Sequence, residues 1–104
     1  MYKKKFFFIV FEGVEGTGKT YQIKKLYNNL KKIYHSVIKT REPGGSNTAE
    51  KIRKLIFDKK SKKLDKLTDF FLINASRNEH MINTLIPAKN KKQIVICDRF
   101  VDST

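Results

Sequence analysis

Residues 13–20 read Gly13-Val14-Glu15-Gly16-Thr17-Gly18-Lys19-Thr20, and this stretch decides the fold of the chain. It matches the pattern G-x-x-x-x-G-K-[ST] at every position. The glycines let the backbone curl so that its N–H groups point inward at phosphate oxygens, and the following helix adds its positive N-terminal end. Lys19 reaches the outer phosphates as a mobile charge, and the Thr20 hydroxyl can bind Mg²⁺. The stretch therefore predicts binding of a nucleotide phosphate tail.

The glycine-rich turn has the flanks that this chemistry requires. Phe6–Phe11 is a continuous apolar run, which is typical of a strand covered on both faces. Tyr21–Tyr34 carries apolar side chains at helical spacing. Because the turn follows a predicted strand and opens a predicted helix, we favour phosphate binding over a chance glycine-rich turn.

The rest of the chain alternates strands and helices. The predicted elements are a strand at Ser36–Thr40, a loop at Arg41–Ser46, a helix from Asn47, a lysine-rich connection at Asp58–Lys66, a helix from Leu67 to about Asn90 in two segments, and a strand at Gln93–Cys97. Asn47 and Glu50 are predicted to form a capping box, and Pro87 to bend the last helix or to lie near the start of its last turn. This alternation predicts one α/β domain, residues 1–104, with a parallel sheet and right-handed crossovers.

Three residues directly follow the predicted strands. They are Gly13, Arg41 and Asp98. The carboxyl ends of parallel strands lie at one edge of a sheet, and ligands bind in the crevice beyond that edge. We therefore expect three loops that are distant in sequence to converge on one site.

Glu15 is unusual inside a phosphate cradle. A carboxylate beside phosphate groups needs a cation or a hydroxyl as its partner. A sugar hydroxyl or the ligand shell of a Mg²⁺ ion would serve. The alternative is a loop residue that faces solvent.

Composition and charge argue against several other classes of protein. The chain has 23 basic and 10 acidic residues, for a net charge of +13. The lysines are spread along the whole chain without the aromatic interleaving of a base-stacking surface, so we expect no specific nucleic-acid binding. The apolar run after Lys3–Lys5 is too short for a membrane span or a signal peptide, and we expect neither. The single Cys97 excludes a disulfide framework and fits a reducing cytoplasm.

Four blocks of the sequence together resemble the thymidylate kinase family of the bacterial type. The blocks are Phe11–Thr20, Thr40–Gly45, Ala75–His80 and Asp98–Thr104, and they cover essentially the whole chain in the family's order and spacing. The phosphate turn is shared by many enzymes, whereas the block Arg41–Gly45 is much more specific to this family. The resemblance implies a P-loop nucleoside-monophosphate-kinase-like parallel sheet with flanking helices, incomplete here, with its first three strands.

The resemblance also implies an activity, the transfer of the γ-phosphoryl group of ATP to dTMP with Mg²⁺. On the donor side, Gly13–Thr20 would wrap the nucleotide tail. Lys19 would hold the transferring phosphoryl group, and Thr20 and Asp98 would lie near the metal. By the same resemblance, two copies of the chain could form a homodimer.

Other residues would bind the acceptor nucleotide. Glu15 would contact the 3′-hydroxyl of dTMP, Arg99 its phosphate and Arg77 the thymine edge. The remaining contacts implied by the resemblance come from Arg41, which would shape the cleft, and from Ser103 and Thr104, which would line the nucleoside pocket. A fixed guanidinium such as that of Arg99 suits a phosphate dianion.

Two features depart from the family pattern. Where the family usually has an aromatic residue that stacks on thymine, this chain has Ile73, which covers a base face without the aromatic component. Phe70, about one turn earlier, is expected to replace it in part.

The family domain is also about twice this length. We expect the 104 residues alone to turn over slowly or not at all and to expose the edge of the first strand.

Three other interpretations are open. Another P-loop nucleoside or nucleotide kinase would share the Asp98-Arg99 pair. A non-catalytic nucleotide-binding remnant would share the phosphate turn. A basic nucleic-acid binder would show an affinity that falls steeply with salt.

Overall fold

The computed structural model of the chain describes residues 4–13, 18–58 and 63–100. Their elements follow in the order β1 (Phe7–Gly13), α1 (Lys19–Leu30), β2 (Val37–Glu42), α2 (Asn47–Ile56), α3 (Lys66–His80), a π-helical turn (Met81–Leu85), α4 (Ile86–Asn90) and β3 (Ile94–Phe100). The predicted alternation of strands and helices is therefore confirmed.

The three strands form one parallel sheet in the order β1-β3-β2. β3 pairs with β1 from Phe7↔Ile94 to Gly13↔Phe100, and with β2 from Val37↔Ile94 onward. The last strand in sequence is thus the central strand in space. Its apolar residues are buried, as a strand covered on both faces requires. Within the described residues β1 pairs on one side only, so the exposed edge that we expected is present.

Helices cover both faces of the sheet. On one face, Ile23 of α1 forms the core with Val37, Ile94 and Ile96. On the other face, α3 reaches β2 through His80, which is fully buried. The sheet thereby separates two sets of side chains, because neighbouring residues on a strand point to opposite faces.

All three strands run further than the apolar pattern predicted. Gly13 is the last residue of β1 rather than the first residue beyond it, Arg41 lies within β2, and Asp98 lies within β3. The hydrogen bonds of a parallel ladder use backbone groups alone, so polar residues can extend a strand whose neighbours are in place.

The predicted cap of α2 is wrong by one residue. Ser46, not Asn47, is the N-cap, and its Oγ accepts a hydrogen bond from the Ala49 N–H at 3.4 Å. Glu50 forms no capping box, because its carboxylate accepts hydrogen bonds from Arg41 and from the Gly45 N–H. The ion pair of Glu50 with Arg41 on β2 therefore takes the place of the predicted capping box.

The long helical region divides into two segments, as predicted. A π-helical turn separates α3 from α4, and Pro87 lies in the first turn of α4, where a missing N–H costs nothing. In the part of the chain that the structure describes, no helix is long and apolar enough to cross a membrane.

Candidate active site

Lys19 joins the carboxyl ends of two strands. It opens α1 and is only 9% exposed. Its Nζ donates to the Gly13 carbonyl at 2.8 Å and to the Arg99 carbonyl at 3.3 Å, and it lies 2.6 Å from the Asp98 carboxylate. The structure thus brings together three predicted site residues at the predicted edge of the sheet.

Only part of the phosphate turn is described. Gly18 has a φ of +81°, the left-handed conformation for which glycine is suited, and it immediately precedes α1. Thr20 lies exposed in the first turn of that helix. The predicted roles of Val14, Glu15, Gly16 and Thr17, and those of Ser103 and Thr104, lie outside the described residues.

A cavity of about 310 Å³ opens on the other face of the sheet. Among the predicted acceptor-site residues, Ile73, Arg77 and Arg99 all line it. Arg99 comes from β3 and the other two from α3, so the sheet and the helix each contribute to one concave surface. The structure therefore places two guanidinium groups and one aliphatic side chain around a volume that suits a small molecule.

Glu42, at the end of β2, holds both arginines. Its side chain is 7% exposed, and its Oε1 accepts a hydrogen bond from the Arg99 Nε at 3.2 Å and lies 3.7 Å from the Arg77 Nε. The hydrogen bond from His80, followed by the nearby arginine charges, lowers the pKa of Glu42 despite its burial. One carboxylate therefore contacts both cations that face the cavity, and Arg99 is also held by Glu12, whose Oε1 accepts a hydrogen bond from the Arg99 Nη1 at 2.8 Å.

His80 lies behind Glu42 and is fully buried. Its Nδ1 is 2.9 Å from the second carboxylate oxygen, and its Nε2 is 2.7 Å from the Thr40 hydroxyl. Both contacts join segments that are distant in sequence, 38 and 40 residues apart. Among the described residues, no group of three or more His, Cys, Asp or Glu could hold a metal ion.

The turn after β2 packs directly against this histidine. Gly45 has a φ of +96°, and a Cβ atom there would lie 2.3 Å from the His80 Cδ2 and 2.5 Å from the Thr40 Oγ1. The Gly44 N–H donates to the buried Ser76 hydroxyl at 2.9 Å. Glycine is required at position 45 for both its backbone angle and its lack of a side chain.

Gly45→Ala should therefore lower the free energy of unfolding by about 3 kcal/mol, since the methyl group collides with His80 and Thr40. Urea denaturation measures this loss. Gly18→Ala is the matched control, because Gly18 also has a positive φ but a Cβ there meets nothing within 4 Å. We expect the control to lose about 1 kcal/mol, the cost of the backbone alone. Equal losses in the two variants would contradict the close packing.

Arg41 lines a second cavity, which shares Phe57 and Phe100 with the first. It pairs with Glu50 of α2, whose pKa that hydrogen bond lowers to about 2. It is not among the residues that line the cavity with Arg99, and it stands opposite Asp98 in the β2–β3 ladder. Since Arg41 and Glu42 are neighbours on a strand, they face opposite sides of the sheet.

The aromatic part of the cavity wall comes from residues that the sequence did not indicate. Phe70 is 58% exposed and does not line the cavity. Phe57 and Phe100 do line it, and their rings form an edge-to-face pair with centroids 5.4 Å apart. On α3, spacing by four residues leads from Ile73 back to Asp69, which lines the cavity, whereas Phe70 is rotated away.

Comparison with known proteins gives a consistent result. A family model described as thymidylate kinase matches residues 11–104. The thymidylate kinase of Mycoplasma capricolum subsp. capricolum is 47% identical over 97 residues, which are 93% of this chain and 46% of that protein. The thymidylate kinase of Finegoldia magna is 50% identical over 93% of this chain and 48% of that protein.

A solved structure agrees in its backbone as well. The crystal structure of thymidylate kinase from Ehrlichia chaffeensis superposes with a TM-score of 0.82 at 43% identity, over 92% of this chain and 55% of that one. The chain spans about half the length of the curated relatives it matches.

Proposed function

Because the chain belongs to the thymidylate kinase family, we propose that the protein transfers the γ-phosphoryl group of ATP to dTMP, giving dTDP for dTTP synthesis. The observation that carries the proposal is the position of Arg99. Its carbonyl accepts from Lys19, and its guanidinium lines the cavity that Arg77 shares. A donor-side lysine and an acceptor-side arginine are therefore joined through one residue of β3.

The donor side relies on charge. In this proposal Lys19 leaves the Asp98 carboxylate and neutralises the transferring phosphoryl group, while the backbone of Gly13–Thr20 wraps the ATP phosphates. Phosphoryl transfer depends on positioning and charge neutralisation rather than on covalent help from the protein. No side chain need become covalently attached.

The acceptor side relies on two arginines held at a fixed distance from each other. Arg99 binds the phosphate of dTMP, and its planar guanidinium suits an oxyanion. Arg77 donates to the thymine carbonyls, and Ile73 covers the base. Three residues outside the described part of the chain complete the proposed acceptor site. Glu15 contacts the 3′-hydroxyl, and Ser103 and Thr104 line the nucleoside pocket.

Magnesium is the metal that the donor set fits. The candidate ligands are the Thr20 hydroxyl and the Asp98 carboxylate, both hard oxygen donors, and Mg²⁺ typically takes one or two protein ligands and keeps several waters. Asp98 remains 39% exposed at the strand end, beside Lys19. When bound, the ion would neutralise charge on the ATP phosphates.

An assay of the protein with ATP and Mg²⁺ against dTMP, dUMP, AMP and thymidine tests the proposal. We expect dTMP to be the preferred acceptor. Preferential phosphorylation of AMP or thymidine would instead assign another P-loop nucleotide or nucleoside kinase.

A second candidate is a non-catalytic nucleotide-binding remnant. The finding that favours it is that the chain spans about half the length of its relatives. Tight ATP binding without transfer to any acceptor in the same assay would support this candidate.

The cavity wall leads to a mutational prediction. Phe57→Ala should raise the KM for dTMP about tenfold, because Phe57 supplies an aromatic face next to Ile73. Phe70→Ala is the matched control on the exposed side of α3 and should leave the KM unchanged. Steady-state kinetics at saturating ATP measure both. A larger effect at Phe70 would show that the thymine lies elsewhere.

The partners proposed are small molecules, ATP and dTMP, in the cytoplasm. The free Cys97 is buried, which raises the pKa of its thiol to about 12 and leaves it unreactive.

Exposed apolar side chains on α3, at Leu67, Phe70 and Phe71, support a homodimer that buries them. Specific nucleic-acid binding is not part of the proposal.

A further inference from the structure

Glu42 divides its two carboxylate oxygens between different neighbours. Oε1 accepts a hydrogen bond from the Arg99 Nε at 3.2 Å, and it forms ion pairs with the Arg99 Nη2 at 3.2 Å and the Arg77 Nε at 3.7 Å. Oε2 receives the His80 Nδ1 at 2.9 Å. Since an ionised carboxylate can only accept, Nδ1 is the donor to Glu42.

His80 has neighbours on its other side as well. Its Nε2 is 2.7 Å from the Thr40 hydroxyl, and Gly45 packs so close to the ring that a Cβ atom there would lie 2.3 Å from the His80 Cδ2. The Thr84 hydroxyl in the π-helical turn donates to the Gly45 carbonyl at 2.6 Å, which holds the glycine against the ring. The imidazole is 0% exposed and so cannot touch a ligand.

We propose that Thr40, His80 and Glu42 form a buried hydrogen-bond chain that sets the orientation of Arg99 and Arg77 and thereby the affinity for the acceptor nucleotide. The inference rests on the proposed function in naming dTMP as that acceptor. His80 is a positioning residue, because it reaches the cavity only through the Glu42 carboxylate. Without the donor at Oε2, the carboxylate is free to turn toward the arginines, and the two guanidinium groups lose the orientation that its present position gives them.

The hydrogen-bond chain affects ligand affinity through the energetics of the Glu42 carboxylate. A buried carboxylate that loses a hydrogen bond recovers it by moving toward another donor, and here the nearest donors are the arginines themselves. Each guanidinium drawn further onto Glu42 is less available to a ligand in the cavity. Affinity for the acceptor should therefore fall, whereas affinity for ATP on the opposite face should not.

Two amide substitutions at position 80 test the two hydrogen bonds of the imidazole, to Glu42 and to Thr40, one at a time. The Asn amide nitrogen stands near the position of Nδ1 and can still donate to Glu42, whereas the longer Gln side chain places its amide near Nε2 and reaches Thr40 instead. We expect His80→Gln to raise the KM for dTMP about tenfold with the KM for ATP unchanged, and His80→Asn to restore most of the dTMP affinity. Circular dichroism and urea denaturation record any common loss of stability.

Position 40 provides a second test that preserves the fold. Thr40→Val is nearly isosteric and favours a strand, yet it removes the hydroxyl that fixes His80. We expect it to raise the KM for dTMP several-fold, and we expect Thr40→Ser, which keeps the hydroxyl, to have the wild-type KM.

The arginine Nε–Hε NMR signals give a readout that needs no substrate. The Arg99 signal should move from its wild-type position in Thr40→Val and in His80→Gln, because the carboxylate oxygen that accepts from the Arg99 Nε has turned.

The outcomes distinguish the inference from the proposed function. If the wild-type protein does not phosphorylate dTMP but the Arg99 signal shifts as described, the positioning chain stands and the activity does not. Parallel rises in the KM for dTMP and for ATP, equal effects of Asn and Gln at position 80, or an unmoved Arg99 signal would each overturn the inference.

Discussion

Lys19→Met should lower kcat by a factor of about 10³ or more and weaken ATP binding. The structure places the Lys19 ammonium at the ends of both β1 and β3, through the Gly13 and Arg99 carbonyls. Methionine keeps most of the side-chain volume but offers neither charge nor donor. The substitution also leaves the Asp98 carboxylate without the partner at 2.6 Å.

Binding and turnover should be measured separately for this variant. Titration with a fluorescent ATP analogue reports the affinity, and a coupled assay reports kcat. Lys24→Met, at an exposed position on the same helix, controls for the general loss of one positive charge and should behave as the wild type. A Lys19→Met protein that binds ATP with full affinity and turns it over normally would remove the basis of the proposed function.

Arg99→Ala should reduce the affinity for dTMP about 100-fold, since it removes the cation proposed to bind the acceptor phosphate. Thymidine, which lacks the phosphate, provides the matched comparison. Its affinity should change little, because Arg77 and the apolar wall remain. Isothermal titration with both ligands measures the difference.

Two outcomes for Arg99 would be informative. Equal losses for dTMP and thymidine would show that Arg99 acts by supporting the cavity rather than by binding phosphate. Arg99→Lys should recover only part of the affinity, because an ammonium cannot reproduce the planar guanidinium that donates Nε to Glu42 and Nη1 to Glu12.

The parts of the site that the sequence predicted are those encoded by local motifs. The turn that ends at Gly18, the lysine that follows it, and the Asp98-Arg99 pair were located because each motif lies next to an apolar strand. Strand bounds were less predictable, since backbone pairing carried β2 and β3 beyond their apolar residues. The sequence indicates Asn47 as the cap because Glu50 stands three residues later, and the contact of Glu50 with Arg41 that competes with a capping box is tertiary.

The parts that were missed depend on contacts between distant segments. Phe57 lies in the turn after α2, and nothing in its neighbourhood indicates that it meets Phe100. Glu42 and His80 belong to recognisable blocks, but their pairing across 38 residues requires the folded sheet and helix. The one available signal was the alternation of β2, which places Thr40 and Glu42 on the same face.

The sheet order has a consequence for synthesis on the ribosome. Among the described residues, β1 and β2 do not pair with each other, because β3 lies between them. A nascent chain that has not yet exposed Ile94–Phe100 has no sheet, and neither Lys19 nor Glu42 has its partner from that strand. Nucleotide recognition therefore should not develop gradually during translation, but should arise in one cooperative event when the central strand inserts.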